Sequence, residues 1–213
     1  MSIRRYFYFL VFILSCNVCV AQKPLQTPLL SGDLLFQDLD CGGLCDAIEQ
    51  VTKSYGGRHF SHIGLVSIEG DSILVIEAIG SKVQKTPLTQ FVARNKNEIL
   101  LGRVKKQHQK ILPSALAFAA KQTGVPYDEE FLYNNGKYYC SELLYDAFKA
   151  ANNGKDFFTL EPMTFKQPGS DTYFPVWVEY YKKLNIDIPQ SAPGINPGGI
   201  STSDKIDLFI YRK

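Results

Sequence analysis

Cys140 is the first residue whose type and position suggest chemistry. It opens the run Cys140-Ser141-Glu142-Leu143-Leu144-Tyr145, and Leu143, Leu144, Ala147, Phe148 and Ala151 recur at the spacing of one apolar helix face. Asn152-Asn153-Gly154 supplies the stop. A thiol in the first helical turn meets unpaired N–H groups and the positive end of the helix dipole, which favour thiolate over thiol. The same N–H groups can donate to an oxyanion. A small buried apolar cysteine is the plainer alternative at such a position.

His62 begins a strand-like run, His62-Ile63-Gly64-Leu65-Val66-Ser67-Ile68, which puts its imidazole at a strand end. A thiol nucleophile needs a base of this kind held within hydrogen-bond reach. A histidine satisfied by backbone partners would look the same in sequence. Glu77 interrupts Val75-Ile76-Glu77-Ala78-Ile79, where a carboxylate is costly unless paired. A turn at Glu69-Gly70-Asp71-Ser72 brings Glu77 onto the strand antiparallel to the one carrying His62, where it can orient and charge the imidazole. Ordinary alternation could instead point it outward. Ser141 and Glu142 read as structural, because hydroxyls and acids are common at helix starts.

A rival constellation uses the same histidine. Cys41 and Cys45, followed by His59 and His62, have the outline of a Cys2His2 zinc site. The two histidines are spaced one residue too closely for the usual pattern, and a chain this long needs no metal to fold.

The elements that must carry these groups are legible in outline. Leu34 to Phe36 begins a strand, and Asp46 to Lys53 has helical spacing ended by Tyr55-Gly56-Gly57. The hairpin of His62–Ile68 with Ile73–Ile79 follows, then a third strand at Ile99–Val104. Ser114–Thr123 reads as a helix stopped by Gly124, with Pro126 beyond. After Pro162 the chain is irregular. It contains an aromatic amphipathic stretch at Phe174–Leu184, a turn-rich loop from Pro193 to Gly199 and a final strand at Ile206–Tyr211. The mixture predicts an α+β domain, an antiparallel sheet with packed helices.

Several of these segments also resemble a known family. Gly32-Asp33-Leu34-Leu35-Phe36, Ser61-His62-Ile63-Gly64-Leu65-Val66 and Val75-Ile76-Glu77-Ala78 resemble the histidine half of NlpC-type cell-wall peptidases. Gly124-Val125-Pro126-Tyr127 and Tyr139-Cys140-Ser141-Glu142-Leu143 resemble their cysteine half. Here the cysteine half comes second, the reverse of the ordinary order. That arrangement resembles the circularly permuted YiiX/YebB-like branch, related also to lecithin retinol acyltransferase-like enzymes. The resemblance implies a papain-like fold, Cys140 as nucleophile, His62 as base and Glu77 as orienting carboxylate. It matches Tyr127 to the family's site tyrosine, which hydrogen-bonds near the oxyanion. It implies no metal or organic cofactor.

The N-terminus reads as a targeting signal. Arg4 and Arg5 precede the apolar run Tyr6–Leu14, and Cys19-Val20-Ala21 places small or uncharged residues before Gln22. The run is too short to cross a membrane. Cleavage after Ala21 would leave 22–213 as one catalytic domain and direct it to the periplasm or cell envelope. Ile13-Leu14-Ser15-Cys16 offers a weaker lipoprotein reading, which would bring membrane proximity. The mature chain would keep Cys41, Cys45 and Cys140, an odd number in an oxidising compartment, with Cys140 the natural free thiol if the other two pair. A net charge of +2 gives no argument for nucleic acid. The expected substrate is an amide in peptidoglycan peptides, with a lipid acyl group as the alternative. A non-catalytic domain binding lipid or peptide is a further reading. Phe174, Val176, Trp177, Tyr180 and Tyr181 can line an acyl-sized groove or form one face of a packed helix. The sequence does not set an oligomeric state.

Overall fold

Six antiparallel strands form the sheet that organises the molecule. The structure, a computed structural model, describes residues 27–39, 42–95 and 97–211. The signal reading and Cys41 lie outside the described residues. The strands are β1 (Leu34–Gln37), β2 (His62–Glu69), β3 (Ser72–Ile79), β4 (Lys82–Pro87), β5 (Ile99–Val104) and, at the C-terminal end, β8 (Ile206–Tyr211), in the order β4-β3-β2-β1-β5-β8. Tight turns at Gly70 (φ 58°) and Gly80 (φ 63°) join β2 to β3 and β3 to β4, using backbone that only glycine enters freely. Two short strands, β6 (Glu161–Pro162) and β7 (Pro193–Gly194), pair apart from this sheet.

Alternation along the strands divides the apolar side chains between two cores. Leu34, Phe36, Ile63, Leu65, Ile76 and Ala78 join the buried faces of α3 (Leu112–Lys121) and α4 (Cys140–Ala151). Leu35, Val66, Val75, Ile99 and Leu101 meet Phe91 of α2 (Leu88–Ala93). A third cluster joins Ala47 of α1 (Gly43–Val51) to Trp177 and Tyr181 of α5 (Pro175–Leu184). Among the described residues no helix is long and apolar enough to cross a membrane.

The α+β expectation holds, with local differences. α1 begins and ends earlier than its spacing suggested, and α3 starts two residues sooner, with Pro113 in its first turn where a missing N–H costs nothing. β4 and α2 were not anticipated. β4 is an edge strand with two lysines, of which only Val83 and Thr86 are buried, so its apolar pattern is too sparse to read. α2 has six residues, too few to show a helical period. The loop from Pro193 to Gly199 holds β7 and the start of α6 (Pro197–Ser201).

Gly64, two residues beyond His62, marks a close approach. A Cβ there would fall inside the Val75 side chain and 3.1 Å from Cε2 of Phe91. Gly64→Ala is therefore expected to lower stability by about 1–3 kcal/mol, the usual cost of overpacking a filled core. Urea unfolding followed by circular dichroism measures this, and a midpoint equal to the parent's would contradict the packing described.

Candidate active site

Three elements bring the predicted residues together. β2 begins at His62, β3 carries Glu77 and α4 begins at Cys140. His62 Nε2 lies 2.6 Å from Glu77 Oε2, and the Cys140 side chain faces the imidazole closely enough to act on its proton. With Nε2 committed to Glu77, Nδ1 is the nitrogen left for sulfur. All three side chains are buried, Cys140 at 6% exposure, His62 at 4% and Glu77 at 0%.

Their protonation follows from this contact. Burial alone would drive the proton off His62, but the hydrogen bonds and charges of Cys140 and Glu77 outweigh it, lifting the imidazole from 6.5 to about 9. Burial would likewise raise Glu77, yet His62, Arg94 and Thr86 together hold its carboxyl below the usual range. The arrangement therefore favours an imidazolium facing a carboxylate on one side and sulfur on the other.

Tyr127 stands beside Cys140 on the wall of a cavity of about 810 Å³. Its backbone is fixed by N–H donation to Ser81 O and by a bridge to Tyr138. Burial, then the neighbouring Cys140 charge, pushes its phenol above the ordinary range, so the O–H proton stays available for donation.

The residues after the nucleophile fix the start of α4. Ser141 Oγ donates to Ile195 O at 2.9 Å, and Ile195 N–H donates to Tyr139 Oη at 3.2 Å. Glu142 Oε1 accepts from Asn134 N–H at 2.9 Å. Burial, with the charges of Asp128 and Asp146, pushes the Glu142 carboxyl up to about 8. Ile195 was missed from sequence because its partners lie more than fifty residues away, which no local pattern reports.

Cys140 lines the cavity together with Ser61 and Tyr127. The apolar wall includes Leu44, Ile48, Phe131, Phe157, Met163 and Trp177. Of the five tail residues singled out earlier, Trp177 is the one on this wall. The others serve the packing of α5 or face outward. Phe131 is held at a φ of 56°, a conformation disfavoured for a bulky residue, with its ring packed against Tyr139, Trp177 and Tyr180.

The zinc alternative loses its ligands. Cys45 is disulfide-bonded, His62 is committed to Glu77 and Cys140, and His59 Nδ1 pairs with Glu49 at 3.4 Å. Cys140 is a free thiol. The pairing expected for Cys45 involves Cys41, outside the described residues. Among the described residues no group of three or more His, Cys, Asp or Glu side chains gathers as a metal would require.

Residues 29–208 match the family described as permuted papain-like amidase enzymes, YaeF/YiiX, C92 family. A curated relative, the protein YiiX of Escherichia coli K12, is 30% identical over 127 residues, 57% of this chain and 58% of that protein. The aligned part of the chain thus spans little more than half the length of that relative. The crystal structure of YiiX from Escherichia coli O157:H7, described as a metalloprotein, is similar with a TM-score of 0.66 at 23% identity, covering 85% of this chain and 97% of that one.

Proposed function

The chain belongs to the permuted papain-like amidase family, YaeF/YiiX, and from that membership we propose that it is a thiol amidase in which Cys140, His62 and Glu77 act together. The observation that carries this reading is the 2.6 Å contact of His62 with Glu77, with Cys140 next to the imidazole on the lining of a cavity.

The proposed reaction has two steps. Cys140 Sγ, its proton held on His62 Nδ1, attacks the amide carbonyl carbon and forms a tetrahedral oxyanion. N–H groups at the start of α4 and the Tyr127 O–H donate to that oxygen. The imidazolium passes its proton to the leaving nitrogen, the C–N bond breaks and a thioester remains on Cys140. Water then loses a proton to His62 and adds to the thioester. Collapse releases the carboxylic acid and regenerates sulfur and imidazolium. Glu77 keeps the ring oriented and stabilises its charge throughout, without taking the proton itself.

Two substrates fit this chemistry. Likeness to cell-wall peptidases and the signal-like pattern of the N-terminal sequence favour an amide in peptidoglycan peptides at the cell envelope. The aromatic and aliphatic wall beside Cys140 supports the second reading, an apolar acyl group, since burying such a chain gains about 25 cal/mol per Å². The metal of the solved relative is not carried over, because among the described residues no group of three or more His, Cys, Asp or Glu side chains gathers to hold one.

Purified protein incubated with acyl anilides of increasing chain length, and separately with muropeptides, tests both readings. Peptide mapping is expected to find the acyl group on Cys140. Rates that rise with chain length select the lipid reading, and turnover confined to muropeptides selects the cell-wall reading. Acylation at any other residue, or at none with every substrate, would sink the amidase proposal.

A further inference from the structure

Glu77 has a partner that the three-residue reading does not use. Arg94, directly after α2, places Nη2 2.7 Å from Glu77 Oε2, the same oxygen that meets His62. The guanidinium is not a loose surface group. Its Cζ lies 5.0 Å from the centroid of the Phe91 ring, and that ring packs 6.0 Å from His62. Gln37, opposite His62 on β1, donates Nε2 to Phe91 O at 2.8 Å and ties down the segment. Arg94 Nε is buried without a hydrogen bond, a cost that a head free to swing into solvent would not bear.

The charges explain why a cation belongs there. In the ion-pair form that the proposed reaction uses, thiolate, imidazolium and Glu77 carboxylate would form a buried group with one excess negative charge, which burial penalises heavily. Arg94 brings the sum to zero. We propose that Arg94 is a positioning residue of the reaction, holding Glu77 and balancing the buried charge so as to set the pH range over which His62 and Cys140 work. This rests on the Cys140–His62–Glu77 reading. The groups facing the pair are Cys140 from α4, Arg94 after α2 and the Thr86 hydroxyl from β4, with Gln37 beside His62 and Tyr127 beside Cys140.

Without Arg94 the excess negative charge holds protons more tightly at both ends. His62 keeps its proton to higher pH, and Cys140 gives its proton up later. The test needs no substrate. Histidine imidazole signals are titrated by nuclear magnetic resonance, and alkylation of Cys140 by iodoacetamide is followed against pH. In Arg94→Met, which keeps the apolar stem over Phe91, both the His62 midpoint and the acid limb of alkylation are expected to rise by roughly half a pH unit or more. Arg94→Lys, which restores the charge, is expected to bring both back toward the parent. Should Arg94→Met fail to fold, Arg94→Gln makes the same comparison. Unmoved midpoints in a folded Arg94→Met, or equal shifts in the Lys and Met variants, would reduce Arg94 to a packing role and overturn the proposal. A His62 midpoint that Cys140→Ala leaves in place would overturn the underlying triad, a failure separable from the first.

Discussion

Cys140→Ala is expected to lose at least about a thousandfold in turnover of any amide the parent cleaves, because the residual rate then comes from binding and the oxyanion donors alone. The fold should survive. The substitution removes one sulfur from the first turn of α4 and introduces the best helix former. The links that anchor this turn, Ser141 to Ile195 and Glu142 to Asn134, do not involve the Cys140 side chain. Circular dichroism and thermal unfolding distinguish lost chemistry from lost structure. His62→Ala should fall nearly as far, and the double variant no further, since nucleophile and base act as one unit. Losses that multiply in the double variant would show that the two side chains work independently, contrary to the proposed pairing of nucleophile and base.

Glu77→Gln is expected to act chiefly on the pH profile. His62 is lifted to about 9 by the hydrogen bonds and charges of Cys140 and Glu77. Removing the negative charge disfavours the imidazolium, so the alkaline limb of activity moves down, by about one pH unit on the scale of a neighbouring charge. This is opposite in sign to the shift expected for Arg94→Met, and general loosening of the site would not produce such a pair. Stability should follow the same logic. A histidine with a raised folded value stabilises fully below its unfolded value of 6.5 and loses that contribution as pH rises through about 9. Glu77, held below 4.5, contributes above that value and loses its contribution as pH falls through the depressed one. Thermal midpoints measured from acid to alkaline pH should therefore show a plateau in the parent that Glu77→Gln lowers. An unchanged alkaline limb in an active Glu77→Gln would rule out electrostatic coupling of the pair.

The segments read most closely from sequence are those whose stability is local. α4 runs over Cys140–Ala151 as its periodicity and its Asn-Asn-Gly stop required. The β2–β3 hairpin turns at Gly70, because only two residues separate strands with clear apolar runs. The hairpin, with the strand-end position of His62, already placed Glu77 within reach of the imidazole, whereas Cys140 joined them only through the family resemblance. Tyr127 entered only through its likeness to a family motif, since nothing in its neighbours marks it.

Whatever depends on contacts between distant segments was decided by the tertiary structure. β4 is a strand because β3 offers it an edge to pair with, and its own lysines give no sign of this. α2 and Arg94 acquire meaning only once Phe91 is packed under the sheet and Glu77 is brought seventeen residues back along the chain. The cavity wall draws on α1, the Phe131 segment, α5 and the strip around Ile195, which meet only when the domain closes. Periodicity records which face of an element is apolar. It does not record which other element that face will meet, and at this site that pairing sets the shape of the cavity and the charge around His62.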